Sequence, residues 1–150
     1  MGNINVGRVI LGGLLAGLIS FISEYVLNVY VIGDESAALM QRLNLPPIGT
    51  EQIAVFAVIT LLLGIVMIFV YAGLRPRFGA GAKTAVIAGL VIWIVGFMSA
   101  LYNAVMGIVP SNVLVVGGAW SLVATIIAAI AGAWLYREGA WAGAAQPNRT

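Results

Sequence analysis

Residues 9–32 read VILGGLLAGLISFISEYVLNVYVI. This run exceeds the ~20 apolar residues with which a helix crosses ~30 Å of hydrocarbon at 1.5 Å per residue. Residues 53–74, 84–109 and 113–136 form three further runs of the same kind. Glu24 is the sole charged side chain in any of the four. Composition agrees: of 150 residues, 62% are hydrophobic and 8% charged, whereas a soluble domain carries about 25% charged residues. Inside lipid only helices and closed barrels satisfy the backbone, and barrel strands alternate in polarity over about ten residues. These runs are continuous. The expected fold is all-α: a single domain over residues 1–150, built as a four-transmembrane-helix bundle. The lipid bilayer is its first partner.

The first run is too long for the 7–15-residue core of a cleaved leader, so it is expected to stay as a span. With four spans, Arg8, Arg75, Arg77, Lys83, Arg137 and Arg149 share one side, and only Arg42 lies on the other. Positive charge marks the cytoplasmic side, so both termini and the central loop, 75–83, are expected inside. The charges gather at span ends without forming a basic face, which argues against nucleic-acid binding. Residues 33–52 form the longest loop, expected outside. There, Asp34, Glu35 or Ser36 is expected to cap a short helix ending before Pro46-Pro47, lying with Leu39, Met40 and Leu43 on the membrane interface or over the bundle mouth. Thr50 is expected to cap the second span, with Glu51 in its first turn. Phe78, Trp134, Tyr136 and Trp141 suit an inner aromatic belt. A short polar tail follows, 138–150.

Missing residue types exclude much chemistry. The chain has no Cys and no His, which removes thiolate zinc sites, iron–sulfur clusters, His-ligated haem, and Ser-His-Asp or Cys-His catalysis. Four of its five acidic residues lie outside the spans, so a carboxylate-bridged metal pair is not expected. The expectation is a protein without enzymatic activity, cofactor or metal.

Helical periodicity shows which faces pack. At 100° per residue, Gly13, Gly17, Ser20, Glu24 and Asn28 share one stripe of the first span. Gly13 and Gly17 make a GxxxG pair, which lets another helix approach closely. Gly89, Gly96, Ala100, Asn103 and Gly107 form a similar stripe on the third span, with Trp93 at its edge. Gly117, Ser121, Ala124, Ala128 and Gly132 form one on the fourth. Gly13, Gly17, Gly89, Gly96 and Gly132 are therefore expected to pack helices together.

Glu24 lies about 22 Å from the inner end of its run, in the outer half of the bilayer. A carboxylate in hydrocarbon is costly and marks a candidate site. Asn28 and Asn103 are expected beside it, with Tyr102 a more distant neighbour and Arg42 able to fold back from the loop. Two functions follow. In the first, the protein is structural or accessory, and Glu24 hydrogen-bonds the first span to the third, at about 0.6–2 kcal/mol per bond. In the second, Glu24 binds a proton or cation in a small transporter or channel subunit. A four-span bundle has little interior, so the second calls for a homo-oligomer. Neither names an ion or small-molecule ligand.

Three segments carry a resemblance: Val6-Gly7-Arg8-Val9 leading into Gly12-Gly13-Leu14-Leu15-Ala16-Gly17, then Arg75-Pro76-Arg77-Phe78-Gly79, and Gly132-Ala133-Trp134-Leu135-Tyr136-Arg137-Glu138. Through them the chain resembles small bacterial membrane proteins with four transmembrane helices and no assigned activity. The resemblance covers most of the chain. It implies the bundle fold and a bacterial inner-membrane location.

Overall fold

The computed structural model describes residues 4–136; Arg137, Glu138, Trp141, Arg149 and the expected polar tail lie outside that range. All regular structure among the described residues is helical. Helix α1, Val6–Val26, runs on into a π-helical turn, Leu27–Val31; then come α2, Gly33–Arg42, α3, Thr50–Phe78, α4, Ala82–Val105, and α5, Ser111–Leu135. Four of these, α1 with its extension, α3, α4 and α5, are long and apolar enough to cross a membrane.

Local chemistry sets the ends. Asn5 caps α1, its side-chain oxygen accepting from the Arg8 N–H at 3.1 Å. At the start of α3 the expected cap is displaced by one residue. Gly49 takes that position, its N–H donating to Gln52 Oε1 at 3.0 Å, and Thr50 is already helical. The end of α3 runs past residue 74, through Pro76, to Phe78. A proline in the last turn removes only one ladder bond. Gly79, at φ 82°, then turns the chain out, its N–H donating to the Arg75 carbonyl at 2.9 Å. The loop expected over 75–83 thereby shrinks to residues 79–81. Helix α4 stops short of residue 109 because Gly107, at φ 73°, folds the chain back, and the Ile108 N–H meets the Asn103 carbonyl at 2.9 Å.

Helix α1 packs against α3 and α5, and α4 packs against α5 and, less extensively, α3. Small residues make these approaches close. Gly64 of α3 lies between Gly13 and Gly17 of α1, so near that a β-carbon on it would fall 2.7 Å from the Gly17 Cα. Gly12 of α1 meets Gly132 of α5 backbone to backbone, and Gly89 of α4 rests on Ala129 of α5. Gly13, Gly17, Gly89 and Gly132 lie at these contacts. Gly96 does not: a β-carbon there would meet nothing within 4 Å. The core is correspondingly fine-grained, with Ala16, Ile68, Ala85, Ala88, Ala128 and Ala129 all buried.

At the end of the bundle that carries the α3–α4 turn, Tyr136 leaves the expected belt. It is 4% exposed, whereas Phe78 and Trp134 are exposed. Its ring meets that of Tyr71 edge to face at 5.8 Å, and the Arg75 guanidinium lies 5.4 Å from its centre. Its hydroxyl accepts from the Asn5 N–H at 3.4 Å, while the Tyr71 hydroxyl accepts from the Gly81 N–H at 3.2 Å. Two phenols thus gather the start of α1, the α3–α4 turn and the end of α5.

At the opposite end, α2 forms where a short helix is expected, but Ile32 occupies its cap position and no side chain caps it. Asp34 and Glu35 lie in its first turn, where carboxylates oppose the helix dipole favourably. Leu39 and Met40 are half-buried and Leu43 is exposed. Arg42 does not turn toward Glu24. Its Nη2 donates to the Gly107 carbonyl at 3.0 Å and to that of Ile108. A cation is well placed there, because the carbonyl end of α4 carries partial negative charge.

Candidate functional site

Helix α1 changes pitch at the candidate site. The Ile32 N–H reaches the Leu27 carbonyl at 2.9 Å, a span of five residues. Single π-turns of this kind occur often at functional sites. Within it, Asn28 Nδ2 donates to the backbone carbonyl of Glu24 at 2.9 Å. The Glu24 carboxylate is left half-buried and accepts no hydrogen bond from any described residue.

Beside it opens a recess of about 240 Å³. Helices α1 and α4 both pack on α5 but scarcely on each other, so α5 floors a cleft between them. Glu24, Leu27 and Asn28 line the α1 side, Gly96, Phe97 and Ala100 the α4 side, and Gly117, Gly118 and Ser121 the floor. Ile32, Val109, Val113 and Leu114 close the end nearest α2. Gly96 and Gly117 each have open space where a β-carbon would stand. The absence of those two side chains helps to make the volume.

The α4 wall is braced. Phe97 stacks on Trp93 with ring centres 4.8 Å apart and planes 15° from parallel. Its other support is the bare backbone of Gly118, where a β-carbon would lie 2.6 Å from the ring. Trp93 Nε1 donates to the Gly118 carbonyl at 3.1 Å and to Ser121 Oγ at 3.2 Å, and Ser121 Oγ donates to the Gly118 carbonyl at 3.2 Å. At the residue before Ser121, Trp120 Nε1 donates to Ser23 Oγ at 2.9 Å, fixing α5 to α1 beside Glu24.

Of the expected group, the fold brings together Glu24 and Asn28. Asn103 stays out: its Nδ2 donates to the Ser99 carbonyl of its own helix at 2.8 Å, and it does not line the recess. Tyr102 is 67% exposed and faces outward. The physical reason is local. Both asparagines satisfy a donor on the carbonyl four residues back, so neither gains by reaching across to another helix. Ser121 and Phe97 take the places assigned to Asn103 and Tyr102. A signal for them existed in the sequence: Trp93 at the edge of one small-residue stripe and Ser121 within another are a donor and an acceptor on neighbouring helices.

No protein-family model matches the chain, and no curated protein or solved structure matches it either. Chemically, the recess offers one carboxylate, the Asn28 amide and the Ser121 hydroxyl within apolar walls. That set suits binding a positive charge or exchanging a proton. No group of three or more potential metal ligands occurs among the described residues.

Proposed function

We propose that the protein binds a cation or exchanges a proton at Glu24, acting as a small transporter or channel subunit without enzymatic activity. The observation that carries this reading is the recess reaching a carboxylate that has no hydrogen-bond partner among the described residues. Inter-helix glue would instead have Glu24 hydrogen-bonded across the bundle, and Asn28 and Asn103 both donate within their own helices. A carboxylate kept open in an apolar surround is costly unless a charge comes to meet it. The protein works as a homo-oligomer in the bacterial inner membrane, its termini and α3–α4 turn cytoplasmic, as Arg8, Arg75, Arg77 and Lys83 against Arg42 indicate. In that orientation α2 lies at the outer interface and the Glu24 recess opens in the outer half of the bilayer.

The test is flux through proteoliposomes. With a pH-sensitive dye inside and a potassium or methylammonium gradient across the membrane, wild-type protein is expected to change the internal pH faster than empty liposomes. Glu24→Gln is expected to abolish the difference. Wild-type and Glu24→Gln vesicles that both behave as empty ones would overturn the proposal.

A further inference from the structure

We propose that the Glu24 recess takes a monovalent organic cation, a protonated amine with a short apolar body, in preference to a bare metal ion. The inference rests on the reading of Glu24 as a cation site and names the class of cation.

Size is the first argument. The recess holds about 240 Å³, and a water molecule's share of liquid is about 30 Å³. That is room for a small organic molecule, and far more than a dehydrated metal ion fills. A bare cation also needs oxygens all round it: calcium takes six to eight, and magnesium a near-ideal octahedron. Here the side-chain oxygens are those of Glu24, Asn28 and Ser121, and Ser121 is already engaged with Trp93 and Gly118. An ammonium group asks less. It needs one carboxylate and a few acceptors, and its attached carbons supply their own contacts.

Charge is the second argument. Among the described residues, Glu24 is the sole charged one lining the recess. One carboxylate balances one positive charge, and a second would be left buried and uncompensated, which is strongly unfavourable.

The walls are the third. Carboxylate and amide stand on α1, while Phe97, Val113 and Leu114 are apolar. Phe97 is held rigidly between Trp93 and the Gly118 backbone. An aromatic ring tolerates a nearby cation and favours an alkyl chain. The ammonium head therefore belongs on Glu24, with the body directed toward the α2 end.

The experiment is titration calorimetry on the full chain in lipid nanodiscs, with methyl-, ethyl-, propyl- and butylammonium chloride, sodium and potassium chloride, and butanol. Affinity is expected to rise about fourfold per added methylene. Butanol is expected to bind at least tenfold more weakly than butylammonium. Glu24→Gln should lose the preference for the charged ligand, and Glu24→Asp should keep it in weakened form. Gly96→Leu should remove the longer amines first, an effect that a merely structural role for Gly96 would not produce. If sodium or potassium displaces butylammonium at equal concentration, or affinity is flat along the series, the amine inference falls while the cation reading of Glu24 stands. Butanol binding as well as butylammonium also overturns the inference. If no cation binds to wild-type protein, both fall together.

Discussion

Replacing Gly64 by alanine tests the interlock of α1 with α3. The new methyl would lie 2.7 Å from the Gly17 Cα and against the Gly13 carbonyl, all backbone, whereas ordinary contact begins at 3.4 Å. Helix α3 must therefore back away from α1 by at least 0.7 Å to clear the Gly17 Cα, and by more to clear the Gly13 carbonyl. A gap of 0.5–1 Å forfeits a quarter to a half of each dispersion contact, and overpacking of this kind costs about 1–3 kcal/mol. Against this, alanine gains up to ~1 kcal/mol of helix propensity. Net destabilisation is expected at about 1–2 kcal/mol. Gly73 is the control. It lies on the same helix, and a β-carbon there meets nothing within 4 Å. Gly73→Ala should be neutral or stabilising by up to ~1 kcal/mol. Reversible unfolding in bicelles, followed by tryptophan fluorescence, measures both variants. Equal stabilities for the two would refute the close approach of α1 and α3.

Three further outcomes are expected. Gly96→Leu should leave unfolding within about 1 kcal/mol of wild type, since the site is open, yet remove the calorimetric signal of butylammonium; retained binding would mean the recess is not the site. Arg42→Gln loses the one nitrogen that donates to both carbonyls beyond the end of α4, and hydrogen exchange over residues 33–49 should speed up by about fivefold, matching ~1 kcal/mol for an exposed charged interaction. Unchanged exchange would show that α2 is held by other means. Trp93→Phe and Ser121→Ala should couple by about 0.5–1.5 kcal/mol in a double-mutant cycle, because they share one hydrogen bond; strict additivity would contradict that bond.

Continuous apolar runs made the four long helices legible, because a helix long enough to cross lipid needs nothing from its neighbours to be recognised. Gly13 and Gly17 were legible as packing residues for a similar reason: a GxxxG pair says that something comes close, though not that the partner is Gly64. Helix ends were less so. Pro76 reads as a breaker, but in the last turn it costs one bond, and Gly79 is what stops α3. The site was half legible. Glu24 and Asn28 sit one turn apart on one helix, so periodicity alone joins them. Asn103 lies on another helix, and its depth matched Glu24 while its own Ser99 carbonyl met its donor. Gly96 looked like Gly89 on the same stripe. Only three-dimensional packing distinguishes a glycine pressed on a neighbour from one that leaves a hollow.

In the function proposed, the Glu24 carboxyl receives a cation from outside the protein. Infrared difference spectroscopy in lipid nanodiscs, before and after adding butylammonium chloride, observes that carboxyl directly, with Glu24→Gln for assignment. A carboxyl or carboxylate band is expected to change on cation addition in wild type and to be missing in Glu24→Gln. Identical difference spectra from the two proteins at saturating cation would contradict it, and Glu24 would then be a sealed structural group.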